Sequence, residues 1–315
     1  MNKLISIVIP LYNEEETLPI TYSRLIRVLK DIKYDYEIMF VNDGSKDKSI
    51  KIIKELRQKD PCISYLDLSR NFGKEIAMAA GFDYVAGDAV IIMDADLQDP
   101  PEMIPEMIKY WEEGFDDVYA KRKNRNGETW LKKETSHYFY KILKKISRIE
   151  IQEDTGDFRL LSRRAVEAIR EFREHHRYTK GFFSWIGFNK KEILFEREAR
   201  IAGKSKWNYI KLTELAIEGI TSFSSIPLRI CTLAGFIAVA IGFIYVTYII
   251  IKKLVFGDPV AGYASLVSLF LFFGSIQLIS LGIIGEYLGR IFDETKNRPL
   301  YFINEYNDKK TMSER

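Results

Sequence analysis

The chain has 315 residues, 47% of them hydrophobic and 29% charged, a globular composition long enough for one large domain or two ordinary ones. Its 47 basic and 44 acidic residues leave a formal net charge of +3, which gives no reason to expect nucleic acid as a partner. Two cysteines in unrelated regions, Cys62 and Cys231, offer no disulfide framework, and His137, His175 and His176 lack the spacing that puts two metal ligands on one helix face.

The first apolar run, LISIVIP at 4–10, has only Lys3 as a nearby positive charge and is followed at once by NEEE, so it reads as a strand and not as a signal peptide. Helical spacing follows over 15–32, then strand YEIMFVND, a helix over 46–60, strand CISYLDLS, a helix over 73–87, strand AVIIMDAD, a helix over 101–114 and strand DDVYA. Repeated βα winding of this kind requires a mostly parallel sheet with helices on both faces. Ligands of such sheets gather at the carboxyl ends of strands, where this chain carries PLYNEE, VNDGS and DADLQD.

From Lys121 to Gly203 the alternation stops and the chain turns basic and aromatic. Residues 206–225 carry apolar side chains at about helical spacing and predict a helix lying along a membrane surface. Two uncharged runs follow, one between Arg229 and Lys252 and one between Asp258 and Glu286. Each is long enough to cross a bilayer core, which needs about 20 apolar residues. The alternative, a pair of buried core helices, rarely runs so far without a charge. The domain reading is therefore an α/β domain at 1–205, a juxtamembrane helix at 206–228, two transmembrane helices at about 230–251 and 262–286 within 229–289, and a tail at 290–315 in which PLYFINEY can add a short strand. Arg229, Arg290, Lys296 and Arg298 flank the outer ends of the hairpin, against Lys252 and Lys253 in its turn, so the large N-terminal part is expected in the cytoplasm of a cell whose cytoplasmic membrane holds the hairpin. Membrane hairpins often associate, so a homo-oligomer is compatible with this reading.

Nucleotide motifs are informative by failing. AGKS at 202–205 lacks the upstream glycine of a phosphate loop, since Glu198 stands there, and no G-x-G-x-x-G follows the first strand. An acidic site remains. Asp43 and Glu14 can hold a base or ribose through carboxylate hydrogen bonds. Alternation along an extended chain aims Asp94, Asp96 and Gln98 to one side if the fourth strand continues past Met93. Two hard carboxylates facing a diphosphate suit Mg²⁺ or Mn²⁺, which would neutralise charge on a departing nucleoside diphosphate.

Taken together, SIVIPLYNEEETL, VNDGSKDKS, NFGKEIAMAAGFDYVAGD, MDADLQDPPE, GDFRLLSRR and GKSKWNYIKL resemble the family 2 glycosyltransferases of GT-A fold, specifically polyprenyl-phosphate glycosyltransferases such as bactoprenol glucosyltransferases and, more distantly, dolichol-phosphate mannose synthases. The resemblance extends through the hairpin to GEYLGRIFDETKNRPLY. It implies an α/β, Rossmann-like GT-A domain with a C-terminal two-helix membrane hairpin, a nucleotide-sugar donor, a divalent cation and a lipid phosphate acceptor. By position it assigns Pro10, Tyr12, Glu14, Asp43 and Lys74 to the nucleoside end of the donor, and Asp94, Asp96 and Gln98 to the metal. Asp157 takes the catalytic carboxylate position. Arg159 and the region of Arg122, Lys132, Lys133 and Ser136 are assigned to the acceptor phosphate, with lysines where an arginine is common. Arg200, Ser205 and Lys206 are placed over the donor diphosphate.

The implied reaction is an inverting transfer of a hexose to polyprenyl phosphate, with glucose from UDP-glucose the first choice and a UDP-N-acetylhexosamine or GDP-mannose as alternatives. A processive polysaccharide synthase would carry more spans and a Q-x-x-R-W motif, and a non-enzymatic scaffold would have lost its acidic residues; neither matches. Trp130, Trp185 and Trp207 remain open between core, interface and sugar platform.

Overall fold

The structure, a computed structural model, describes residues 3–123, 152, 155–196, 221, 224, 226–256 and 262–307. The chain divides into two units, one holding the N-terminal part together with the segment from Pro299 onward, the other holding Ile220–Arg298.

In the first unit β1 (Leu4–Leu11), α1 (Leu18–Leu29), β2 (Asp35–Asn42), α2 (Ser49–Lys59), β3 (Ile63–Leu68), α3 (Lys74–Tyr84) and β4 (Ala89–Ile92) alternate as the sequence predicts. A short 3-10 turn at Pro101–Met103 leads into α4 (Ile104–Glu112) and β5 (Asp117–Arg122). Beyond it come β6 (Thr155–Ser162), α5 (Arg163–Arg170), α6 (Thr179–Trp185) and β7 (Lys190–Phe195). The sheet order is β7-β5-β6-β4-β1-β2-β3-β8, with β8 (Ile303–Asn307) returning to the edge. Strands β1 to β4 run parallel, whereas β6 is antiparallel to both β4 and β5, and β8 is antiparallel to β3.

Alternation in the central strands loads both faces. Ile7, Ile9, Ile38, Phe40 and Ile91 face the layer of α1, α2 and α4; Val8, Met39, Val41, Leu66, Val90 and Ile92 face α3 and α5. Nearly continuous burial explains why these strands read as unbroken apolar runs. On the second face α3 packs closely on β1 through Gly81, where a Cβ would stand 2.4 Å from Val8 Cγ1. Gly81→Ala is expected to destabilise the fold by about 1–3 kcal/mol, overpacking outweighing the better helix propensity. A higher unfolding midpoint for the variant would show that α3 and β1 have slack.

One expectation is corrected. The fourth strand does not reach Asp96: β4 ends at Ile92, and Leu97, fully buried, turns the chain with φ +62°. The basic segment after Lys121, for which the sequence predicts no βα alternation, still supplies β6 and β7 to the sheet. The predicted tail strand is present as β8, held by Lys54 Nζ and Tyr65 Oη, each 2.5 Å from the Glu305 carboxylate.

Asp116, just before β5, joins that strand to the end of β6 and the start of α5. Its carboxylate accepts from Ser162 Oγ at 2.8 Å and pairs with Arg164. The Arg164 hydrogen bond holds the Asp116 carboxyl below the usual range despite its burial. A depressed acid binds its proton more weakly in the folded state than in the unfolded one, so its contribution is present above about pH 4 and is lost as pH falls further. The melting temperature of the wild type should exceed that of Asp116→Asn at pH 6 and converge with it towards pH 3. A gap that stays constant across this range would contradict the assignment.

The second unit consists of α7 (Ile226–Phe256) and α8 (Tyr263–Thr295). Ile226–Lys252 and Leu269–Thr295 are long and apolar enough to cross a membrane, and side chains such as Phe243, Leu254 and Phe270 are largely exposed. Thr232, Thr247 and Ser275 donate their hydroxyls to carbonyls one turn back, so these polar atoms make no demand on the surroundings. Tyr287 Oη donates to Ser224 O at 2.6 Å. The predicted juxtamembrane helix falls mainly on 206–220, outside the described residues.

Candidate active site

Because β1 lies between β2 and β4, with all three parallel, the carboxyl ends of these strands form one edge at the point where the winding reverses. Near the end of β1 Pro10 is buried, and just beyond the strand Tyr12 and Glu14 are half-buried. Asn13, with φ +54°, accepts from the Lys46 N–H at 2.8 Å, and its own N–H donates to Ser45 Oγ at 2.9 Å. The Glu14 N–H donates to Ser49 Oγ at 2.9 Å. The loops after β1 and β2 are thereby tied into one rim.

Asp43, only 3% exposed, accepts from the N–H groups of Phe72 and Gly73 at 2.7 and 2.9 Å, one on each carboxylate oxygen. Burial pushes its carboxyl upward, and these two bonds pull it back. Gly44 makes the approach possible: its φ is +63°, and a Cβ there would lie 2.4 Å from the Arg70 carbonyl carbon. Asp43 therefore sets the loop that delivers Lys74 to the edge.

Lys74, the first residue of α3, is the centre of the site. Its ammonium lies 2.6 Å from Asp94 and 2.5 Å from Asp157, bridging the loop after β4 to the start of β6. Burial works against the charge on Lys74, but Asp157 and then Asp94 hold it well above the ordinary lysine value. Burial likewise works against the Asp157 carboxylate; Lys74 and then Lys180 overcome it and keep the carboxyl below the usual range. Asp94 is raised by burial, with Lys74 opposing. The second oxygen of Asp157, Oδ1, is buried and has no hydrogen-bond partner among the described residues.

Alternation survives the end of β4: Asp94, Asp96 and Gln98 are half-buried, while Met93, Ala95, Leu97 and Asp99 point inward. Asp96 Oδ1 accepts from the Gln98 N–H at 3.2 Å. Sequence reasoning missed Asp99, whose Oδ2 accepts from the Asp94 N–H at 3.2 Å and whose carboxyl is pushed up to about 7 by burial and then by the charge of Asp94. It also missed Glu75, which accepts from the Thr179 N–H at 3.0 Å, and Lys180, which donates to Thr155 O at 3.0 Å. Glu75 adjoins Lys74 in sequence, a usable signal; Lys180 carries none.

Arg159 departs from the acceptor-phosphate expectation. It is fully buried, its Nη1 donates to Asp117 at 2.9 Å, and its guanidinium lies 3.7 Å from the Phe183 ring centroid. Such a group braces β5 against β6 and is not offered to a ligand. Arg122 fits the expectation better: it ends β5, its Nε is buried with no partner among the described residues, and its Nη2 would lie 3.9 Å from a Cβ on Gly156. Lys132, Lys133, Ser136, Arg200, Ser205 and Lys206 lie outside the described residues.

The donor set fits a divalent ion of the Mg²⁺ or Mn²⁺ type. Asp94 and Asp96 share an outward side, and the orphaned Asp157 Oδ1 adds an acceptor nearby. Among the described residues no three His, Cys, Asp or Glu side chains form a closed ion cage, so the three aspartates do not converge on one point as a set of ligands. An ion held by two carboxylates and completed by substrate phosphates needs no such cage.

Residues 6–170 match the model of glycosyl transferase family 2, and residues 226–291 match that of the GtrB C-terminal hairpin. The chain is 50% identical over 301 residues to an uncharacterized glycosyltransferase of Synechocystis, covering 96% of this chain and 95% of the relative. It is 48% identical over 302 residues to the bactoprenol glucosyl transferase of Shigella phage SfII, covering 96% and 97%. It is 47% identical over 300 residues to the prophage bactoprenol glucosyl transferase homolog of Escherichia coli, covering 95% and 98%. With a family match over more than half its length and relatives of this identity along nearly all of it, the chain belongs to glycosyl transferase family 2.

Proposed function

We propose that this protein transfers a hexose, with inversion, from a nucleotide sugar to polyprenyl phosphate at the cytoplasmic face of a bacterial membrane, and that the donor is UDP-glucose. The observation that carries this reading is the meeting of Asp94 and Asp157 on Lys74 at the winding-reversal edge of the sheet, beside the rim built from Tyr12, Glu14 and Asp43. The bactoprenol glucosyl transferase and the homolog similar to this chain along nearly their whole length support the choice of glucose and of the lipid acceptor.

Pro10, Tyr12, Glu14 and Asp43 bind the nucleoside in this reading, and Lys74 answers the charge of the diphosphate. Asp94 and Asp96, with Gln98 beside them, would hold Mg²⁺ or Mn²⁺, which when bound stabilises the negative charge of the leaving nucleoside diphosphate. Arg122, with Lys132, Lys133 and Ser136, receives the acceptor phosphate, and Arg200, Ser205 and Lys206 close over the donor. An acceptor phosphate oxygen attacks the anomeric carbon as the bond to the diphosphate oxygen breaks. Orientation of the two substrates supplies much of the rate, effective molarities reaching about 10⁵ M or more in well-placed pairs. A phosphate monoester has its second pKa at about 6, so the nucleophile is largely ionised at neutral pH. Asp157, held ionised by Lys74, then has an orienting part and no proton to remove. The hairpin keeps the catalytic unit where a long-chain lipid presents its phosphate.

The test is transfer by the full-length protein in lipid nanodiscs, supplied with undecaprenyl phosphate and radiolabelled UDP-glucose, UDP-N-acetylglucosamine or GDP-mannose, with and without divalent ion. The reading expects label in the lipid product from UDP-glucose, dependent on the ion, and a β-linked product from the α-linked donor. Preferential labelling from another donor would replace the glucose assignment, and an α-linked product would overturn the single displacement.

A further inference from the structure

Lys74 occupies the gap that a cation shared by Asp94 and Asp157 would fill, with its ammonium 2.6 Å from one carboxylate and 2.5 Å from the other. We propose that Lys74 is a tethered cation that holds the acidic site in register without metal and competes with the divalent ion for Asp94, so that this lysine sets how tightly the empty enzyme binds metal. The inference rests on the metal-site reading of Asp94 and Asp96 given above.

Three features support it. First, the backbone that carries Lys74 is braced on both sides: both Asp43 carboxylate oxygens accept from the Phe72 and Gly73 N–H groups just before it, and Glu75, the residue after it, accepts from the Thr179 N–H. A long side chain is thus started from a fixed base. Second, Asp94 and Asp157 come from elements distant in sequence, the loop after β4 and the start of β6, and among the described residues the Lys74 ammonium is the group that both of them bind. Two carboxylates brought this close repel each other unless a cation stands between them. Third, the Lys74 side chain is 41% exposed and that of Asp157 only 10%, so the lysine can swing outward while the carboxylate stays.

An ion taking Asp94 as a ligand would lie within a few ångströms of the ammonium, and like charges at that range repel appreciably even in a partly solvated site. The lysine must therefore release Asp94. It keeps Asp157, or turns towards the incoming donor diphosphate. Metal-free enzyme is compensated by the lysine; loaded enzyme is compensated by the ion and has an ammonium to spare for the substrate. The consequence is that nucleotide and metal bind together more readily than metal alone, because the diphosphate gives the displaced ammonium a new partner.

The experiment measures Mn²⁺ binding to the full-length protein without nucleotide, by the loss of the free-ion electron paramagnetic resonance signal. Lys74→Met is expected to bind Mn²⁺ at least about tenfold more tightly than wild type, a modest effect for removing one positive charge about 4 Å from a divalent ion. Lys74→Arg, which keeps the charge, should stay near wild type, and UDP should enhance Mn²⁺ affinity much less in Lys74→Met than in wild type. Weaker or unchanged Mn²⁺ binding by a Lys74→Met protein whose circular dichroism and melting temperature match wild type overturns the proposal, as does the absence of any Mn²⁺ binding in wild type. Misfolding would weaken metal binding, so it cannot imitate the expected gain; if Lys74→Met does not fold, tighter binding by Lys74→Gln is the expected result, and unchanged or weaker binding by it overturns the proposal. The transfer assay above is a separate arm: failure of glucose transfer with the metal result intact removes the glucosyltransferase reading and leaves the tethered cation standing.

Discussion

Asp94→Asn is expected to lower kcat/KM for transfer by about 10²–10³, the scale seen when one preorganised electrostatic contact to developing charge is removed. The substitution keeps the shape of the side chain and removes its charge, and that charge has two tasks in this site. It balances Lys74, 2.6 Å away, and in the proposed reading it would give the divalent ion an anionic ligand on the outward side of the loop after β4. Loss of both should abolish Mn²⁺-dependent retention of UDP-glucose and leave turnover reduced on that scale. Asp157→Asn separates the two functions. It should retain most donor binding and lose turnover, because Asp157 is one-tenth exposed and meets the loop after β4 through Lys74. If Asp157→Asn turns over at the wild-type rate with both substrates saturating, Asp157 has no part in the chemistry.

The second large effect is on stability. Arg159 and Asp117 form an ion pair with both side chains fully buried, between adjacent antiparallel strands. Burial pushes the Asp117 carboxyl upward, and Arg159 opposes it. Removing one partner leaves the other charge in a low-dielectric interior, so Arg159→Leu should cost about 3–5 kcal/mol, read as a lower unfolding midpoint of the detergent-solubilised protein. The paired replacement Arg159→Leu with Asp117→Leu should recover much of that loss, since no uncompensated charge remains. An Arg159→Leu protein as stable as wild type but defective only in acceptor affinity would return Arg159 to the phosphate site.

Much of the parallel half of the sheet is legible in the sequence because each strand and its helix are neighbours along the chain. The runs from Leu4, Asp35, Ile63 and Ala89 are apolar on both faces and end in recognisable turn residues. β6 was hidden for a physical reason. Its residues include Asp157 and Arg159, charges that ordinarily mark an exposed loop, and they are tolerated because Lys74 and Asp117 meet them from other elements. Such pairing is non-local, and alternation within a segment carries no trace of it. The end of β4 was misjudged for a related reason: a bulky Leu97 in the left-handed region is unfavourable in isolation and persists because its side chain is fully buried.

The site divides in the same way. Asp43, Asp94, Asp96 and Asp157 were nameable from spacing and resemblance, as was Lys74. That the lysine stands between two of the aspartates, that Asp43 spends both oxygens on the loop preceding it, and that Asp99 braces the Asp94 amide follow only from the fold.

The most direct test compares organic-phase label from UDP-[¹⁴C]glucose, undecaprenyl phosphate and Mn²⁺ for wild type and Asp94→Asn side by side. Ion-dependent labelling of the lipid by wild type, reduced to background in Asp94→Asn, is the expected result. Equal labelling by the two proteins, or none by a folded wild type that binds donor, would contradict the account.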